Sequence, residues 1–230
     1  MPSSKGKKRN HTLVSWHLLE KFFSVQGMEV VFHPPHSKQI PKLIRFLKAN
    51  HSNLKQSFYH RYLKREFFLE KVALRDRWKT HCLKKPIISG LVEEKNSGKI
   101  ITFLSGSRES HLPLFISHIV VVDEKFRMTN LFEQCFFLMH DILEKSGIEH
   151  AICSSSVLSF APQKVFLKAG MSVCGIDPAG ETMKIDGKEK YVPDVYFHKF
   201  LGKGKDKILS EENYQLTSEA KTLWDTLKKL

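Results

Sequence analysis

The sequence predicts a mixed α/β fold of the α+β type, with a mostly antiparallel central sheet and helices on both faces. Three observations carry that expectation. The chain has 230 residues of which 41% are apolar, enough to bury the core of one large domain. Its hydrophobic period switches between 2 and 3.6 in the order strand, helix, helix, three strands, helix, strand, helix, two strands. The longest strand-like run, "LPLFISHIVVV" from Leu112 to Val122, is almost continuously apolar, as in a central strand covered on both faces.

The elements follow in order. Residues 1–12, "MPSSKGKKRNHT", are a basic tail expected to be disordered, whose Lys5, Lys7, Lys8 and Arg9 could touch nucleic acid or serve as a nuclear address. Residues 13–27 read as an N-terminal helix around "WHLLEKFFSV". "GMEVVFHPP" is a strand bounded by Gly27 and Pro34. A helix capped by Ser37 follows, with Ile40, Leu43, Ile44 and Leu47 on one face. From Leu54 to Trp78 the chain is basic and aromatic, with Leu54, Phe58 and Tyr62 on a helical stripe. Such a segment either stacks on bases or buries its aromatics and turns its cations outward, and the second reading is the simpler. "PIISGLVEEKNSGKIITFLSGS" is a hairpin around Asn96-Ser97-Gly98. After Asp123 the helical period places Leu131, Cys135, Leu138 and Ile142 on one face up to Gly147. "EHAICSSS" is a strand, "SFAPQKVFLKAG" a helix stopped at Gly170, and "SVCGI" and "DVYFHKFL" close the sheet. Beyond Leu201 the pattern gives a linker and a C-terminal amphipathic helix within 202–230.

Composition narrows the function classes. Lys and Arg outnumber Asp and Glu by 37 to 24, a formal charge of +13, which favours polyanions or phosphorylated small molecules and argues against cationic peptides unless a local acidic patch intervenes. Glu93, Glu94, Glu109 and Asp123 are the carboxylates considered for such a patch. Cys82, Cys135, Cys153 and Cys174 are far apart in apolar stretches, as expected of free buried thiols in a reducing compartment. His17, Glu20 and Lys21 interrupt what would otherwise resemble a signal-peptide core, and no run approaches the roughly 18 apolar residues of a membrane span. The expectation is an intracellular protein, cytoplasmic or nuclear, with no membrane partner. The histidines of His33-Pro-Pro-His36 lack metal-ligand spacing, so no metal is expected.

The stretch "HIVVVDEKFRMTNLFEQ" carries the chemistry. A strand running into a helix N-terminus leaves backbone N–H groups pointing at one place, with the positive end of the helix dipole behind them. That place suits a phosphate, and Arg127 adds a full charge at the turn.

Together with the element order, "SFAPQKVFLKAGMSV" and "VPDVYFHKFL", this stretch resembles the Gcn5-related N-acetyltransferase family over residues 28–201. The family's apolar triplet before the turn corresponds to Val120, Val121 and Val122, and its pyrophosphate loop to Arg127, Met128, Thr129, Asn130, Leu131 and Phe132. Ser159, Pro162, Phe166, Gly170 and Met171 fall on the next helix motif, and Asp194-Val195 and Lys199-Phe200-Leu201 on the last strand. The resemblance implies an N-acetyltransferase that uses acetyl-CoA as cosubstrate, with direct attack by an amine in a ternary complex. It assigns the coenzyme to the triplet, the loop and Ser159. Val120 to Val122 should splay from "EHAICSSS" and hold the pantetheine arm, and an N–H near Val121 should polarise the thioester.

The departures are specific. Asn130 replaces the first loop glycine, a position where a left-handed backbone would accept Asn. Phe132 replaces a small residue, Ser159 an asparagine, and Phe166 the tyrosine that protonates the leaving thiolate in many members. His118 is the candidate general base, because arylalkylamine acetyltransferases carry a histidine at a similar place and an unperturbed imidazole near pKa ~6.5 suits the task. Strand alternation puts it on the face of Val120 and Val122. Glu109 and His111 are runners-up, and a satisfied core histidine is the plain alternative for His118. Water, Tyr196 or a serine of "SSS" could replace the missing acid. The alternative for the whole chain is a catalytically inactive module of the same fold whose basic surface binds nucleic acid or protein.

Overall fold

The computed structural model describes residues 19–51, 54–55, 57–77, 85–109, 112–127 and 129–229. The basic tail, Trp16, Cys82, His111 and Met128 lie outside the described residues.

The strands are β1 (Lys21–Val25), β2 (Met28–His33), β3 (Ile87–Glu94), β4 (Ile100–Arg108), β5 (Leu114–Val122), β6 (His150–Ser156), β7 (Ser172–Ile185) and β8 (Lys188–Phe200). They form one eight-stranded sheet in the order β1-β2-β3-β4-β5-β6-β8-β7. All neighbours are antiparallel except β5 and β6, which run parallel.

The helices are α1 (Ile40–Asn50), α2 (Arg65–Lys71), α3 (Leu131–Lys145), α4 (Phe160–Lys168) and α5 (Ser218–Leu227). On one face of the sheet, Ile40, Leu43 and Leu47 of α1 and Phe68 of α2 cover Leu91, Phe103, Ile119 and Val121. On the other, Leu131, Cys135, Met139 and Ile142 of α3 cover Phe32, Val92, Leu104 and Phe115. A smaller cluster joins Phe136 of α3 and Phe166 of α4 to Cys153 of β6 and Phe197 of β8. The near-continuous apolar run of β5 is thus explained by helices on both sides.

Several local expectations change. Residues 21–25 are not helical: Lys21–Val25 pairs with β2, and Val25 and Phe23 join the core beside α3. The turn at Gln26-Gly27, with φ of 50° and 79°, makes the hairpin that the apolar pattern "FFSV" also permits. The sheet therefore begins before Met28. Ser37 does not cap α1; it sits in a short 3₁₀ turn capped by His36, and its hydroxyl donates to Asp76 at 2.5 Å. The segment from Leu54 is broken into a 3₁₀ turn (Phe58–Leu63), α2 and a second 3₁₀ turn (Arg75–Arg77). β7 and β8 are far longer than "SVCGI" and "DVYFHKFL" and meet at Asp186-Gly187.

The domain continues past Leu201. Gly204 is buried so closely that a Cβ would stand 2.1 Å from the Glu149 carbonyl oxygen. By contrast, α5 buries none of its residues. Among the described residues no helix is long and apolar enough to cross a membrane. Cys135 and Cys153 are buried free thiols, whereas Cys174, on the edge strand β7, is exposed.

Candidate active site

The site arises from a split in the sheet. β5 pairs with β4 along its length, but with β6 only where Leu114–Ile116 meets His150–Ile152. From Ser117 onward the two strands part, while β6 stays paired to β8 through Ser156. Among the described residues, the β6-facing edge of Ser117 to Val122 has no ladder partner. A cavity of about 590 Å³ fills the gap, a volume suited to a cofactor-sized ligand. Val120, Val121 and Val122 line one wall, and Ser154 and Ser155 the other.

Two helices start at this cavity. Phe132, in the first turn of α3, and Ser159, the N-cap residue of α4, both line it. Helix N-termini carry partial positive charge and free N–H groups, so two of them at one cavity favour an anion there. The third contributor is the end of α1, through Ala49, Asn50 and His51.

Arg127 lines the cavity as expected, but its guanidinium is also engaged. Nε donates to the Val122 carbonyl at 3.3 Å and Nη2 to the Asn50 carbonyl at 2.7 Å. It therefore ties the β5–α3 turn to the negative end of α1. Thr129 braces the turn, its hydroxyl donating to the Phe126 carbonyl at 2.8 Å and accepting from the Leu131 N–H at 3.2 Å. Asn130 has φ of −79°, so the left-handed backbone expected for a glycine substitute is not used. The Phe132 ring is accommodated against Phe136 and Phe166, with centroids 5.8 and 6.1 Å away. Phe166 itself is buried, at 3% exposure, and presents no hydroxyl.

His118 also lines the cavity, but on a different face from the one expected. Ser105 faces Ile119 and Gly106 faces Ser117, so His118 has no opposite residue and is the extra residue of a β-bulge. The bulge breaks the alternation and brings His118 to the side of Ile119 and Val121, beneath α1 and α2. Gly106 permits the close approach: a Cβ there would lie 2.5 Å from the Ile116 carbonyl oxygen.

Both ring nitrogens of His118 have hydroxyl partners, Nδ1 with Tyr62 Oη at 3.1 Å and Nε2 with Ser107 Oγ at 3.0 Å. The Tyr59 ring lies 5.8 Å from the imidazole. Burial, with the nearby Arg61 charge, pushes the His118 pKa down to about 4, so the unperturbed value expected from sequence does not hold.

Glu109 is exposed near the start of β5 and does not line the cavity. The other carboxylates considered are occupied elsewhere: Glu93 binds His33 and Gln39, Glu94 accepts from Ser97, and Asp123 pairs with Lys99. Among the described residues, Glu124 is the acidic side chain that lines the cavity, and Asp194, read from the sequence only as part of the last-strand motif, stands behind its wall. Asp194 accepts from Ser154 of the cavity wall, and burial together with Asp177 raises its pKa. Burial and then Asp194 raise that of Glu181. Tyr62 was legible only as a core aromatic, because nothing in a helical stripe tells where a buried hydroxyl points. Among the described residues no group of three His, Cys, Asp or Glu could hold a metal ion.

No family model matches the sequence, and no curated protein does. Solved structures do match the fold. The ribosomal-protein-S5-alanine acetyltransferase from Vibrio fischeri aligns with a TM-score of 0.62 at 14% identity, covering 79% of this chain and 96% of that one. Mycobacterium smegmatis RimJ in complex with CoA-disulfide aligns at 0.60 and 11% identity over 92% and 96%. An acetyltransferase of the GNAT family from Streptococcus pneumoniae aligns at 0.57 and 14% identity over 75% and 99%. With its split eight-stranded sheet and helices on both faces, the chain has the fold of the Gcn5-related N-acetyltransferase superfamily.

Proposed function

We propose that this protein is an acetyl-CoA-dependent N-acetyltransferase in which an acceptor amine attacks the thioester directly within a ternary complex. The observation that carries the reading is the parting of β5 from β6 after Ile116, which opens unpaired strand backbone onto a cavity bounded by two helix N-termini. Similarity in fold to a protein solved with CoA-disulfide supports it.

The residues present fit such a cosubstrate. The backbone of Val120 to Val122 would pair with the pantetheine arm as a further strand would. Arg127, Thr129, Asn130, Leu131 and Phe132 would hold the pyrophosphate, chiefly through first-turn N–H groups, with Met128 assigned to the same loop and Ser159 to the opposite wall. Acetyl-CoA supplies an activated acyl group, a thioester whose carbonyl gains negative charge as the amine adds. A backbone N–H near Val121 would stabilise that charge.

His118 is the proposed proton acceptor. Its depressed pKa keeps the ring neutral, and so able to accept, at any pH above about 5. The same burial makes it a weak base, so the proton leaves the amine only after N–C bond formation has acidified it. Phe166 has no proton to give, and the hydroxyls in the wall are those of Ser117, Ser154, Ser155 and Ser159. Tyr196, opposite Ser154 in the ladder, is a weaker acid than an ordinary tyrosine, its pKa raised by burial and by Asp194.

A second reading, a non-catalytic module of this fold, draws on the missing loop glycine, the bulky Phe132 and the engagement of both His118 nitrogens. One experiment separates the two. Isothermal titration of the full chain with acetyl-CoA is expected to show binding, and thiol release with a panel of amines to show turnover. Binding without turnover would favour the module. No binding at millimolar acetyl-CoA or CoA would overturn the proposal.

A further inference from the structure

Behind His118 lies a chain of buried hydroxyls. Tyr62 Oη stands 2.8 Å from Ser105 Oγ, which stands 2.8 Å from Ser89 Oγ and 3.4 Å from the Ile88 carbonyl. Tyr62 and Ser89 are fully buried and Ser105 is 2% exposed. With the two contacts to His118 this makes five hydrogen bonds, and one arrangement of protons satisfies all of them. A carbonyl only accepts, so Ser105 donates to Ile88 and must accept from both Ser89 and Tyr62. Having spent its proton, the Tyr62 oxygen accepts, and His118 Nδ1 must donate to it. Nε2 is then bare and accepts from Ser107.

We infer that Tyr62 is a positioning residue for the proposed acetyl transfer: its hydroxyl, held by Ser105 and Ser89, fixes His118 as the Nδ1–H tautomer and leaves Nε2 as the basic nitrogen. The inference rests on the proposed function for its catalytic half and on the hydrogen bonds alone for its tautomeric half. The bulge is what turns His118 toward this chain. The Tyr62 ring is clamped edge-on by Phe67, Phe68 and Phe103, with centroids 4.8, 5.9 and 5.9 Å away, so the hydroxyl has one place to be. In the transfer step the amine lone pair forms the new N–C bond, and the thioester C–S bond breaks with its electron pair leaving on the coenzyme sulfur, which is protonated from solvent. One amine N–H bond breaks as one Nε2–H bond forms. The Ser107 hydroxyl gives up its bond to Nε2, and the imidazolium keeps its Nδ1–H bond to Tyr62.

The test uses the full chain labelled with ¹⁵N at histidine, because the protonated and bare nitrogens of a neutral imidazole resonate far apart. The wild type is expected to show the Nδ1–H form at His118, and Tyr62→Phe, which keeps the ring, a shift toward Nε2–H. In the same variant kcat is expected to fall by about tenfold or more, a share of the ~10²–10⁴ that a general base supplies, with KM for acetyl-CoA unchanged. Ser105→Ala, which removes the acceptor of the Tyr62 proton, should shift the tautomer in the same direction and guards against a folding defect in Tyr62→Phe. A wild type in the Nε2–H form, or variants with an unchanged tautomer, would overturn the inference. The expected tautomer without turnover on any amine would overturn the proposed function and the catalytic half, and uphold the positioning of the ring.

Discussion

Arg127 and Asn50 join the β5–α3 turn to the end of α1. The guanidinium donates to the Asn50 carbonyl at 2.7 Å, and Asn50 Oδ1 in turn accepts the Glu124 N–H at 3.2 Å. Two segments remote in sequence, α1 and the β5–α3 turn, thus meet at one end of the cavity, and the residue expected to meet a phosphate is also the one that holds the wall in place.

Arg127→Ala should therefore act twice. Loss of a charged contact to a phosphate costs ~1.5–3 kcal/mol of coenzyme affinity. Loss of the bonds to Asn50 and Val122 should lower the stability of the free protein by ~1 kcal/mol, a few degrees in Tm for a chain of this size. Titration calorimetry and thermal unfolding separate the two effects. Affinity within twofold of wild type, with a lowered Tm, would leave Arg127 purely as a clamp.

His118→Ala is expected to lower kcat by ~10²–10⁴-fold while leaving acetyl-CoA affinity nearly unchanged, since a base acts on the amine. Because the neutral ring is the active form and its pKa is about 4, the acidic limb that it controls should lie near pH 4 and not near 6.5. The pH profile of kcat/KM checks this. An unchanged limb in the variant would place the base elsewhere.

Stability should decline on acidification for a related reason. His140 is buried, with neither ring nitrogen hydrogen-bonded, and burial followed by the Lys199 charge pushes its pKa down to about 4, as for His118. An unfolded histidine binds its proton near pH 6.5, so between about 6.5 and 4 the unfolded state takes up protons that the folded state refuses. Unfolding free energy should fall with pH through that window and level off below it. Urea titrations at several pH values measure the slope, and His140→Leu is expected to flatten it.

Trimming tests the boundaries. Cutting at Met28 removes β1 and with it Val25, a core residue at 1% exposure, so a loss of ~1.5–3 kcal/mol or more is expected. Removing residues 210–230 deletes α5, which has no buried residue and whose Trp224 packs on Tyr214 of the same segment, and should move Tm by less than about 2 °C. Thermal unfolding of the two shortened chains gives both answers; equal losses would mean that α5 docks on the domain.

By itself the sequence determined the central architecture. The apolar run ending in Val120-Val121-Val122, the 3.6-residue period after Asp123 and the stop at Gly147 are local patterns. Periodicity and turn chemistry do not depend on what the segments later meet. A cavity does lie at the strand-to-helix junction that the sequence marked as a polar focus, since a strand entering a helix N-terminus leaves its N–H groups pointing at one place. Tertiary structure decided the rest. The segment Lys21–Val25 became a strand because β2 offered it an edge, and in a short apolar run helix and strand are equally compatible with the pattern. The face of His118 was set by a bulge opposite Ser105-Gly106, and inserting one residue into a ladder reverses an alternation that no single strand reveals. Its basicity was set by burial and by Arg61, which are properties of a place in the fold and not of a residue type.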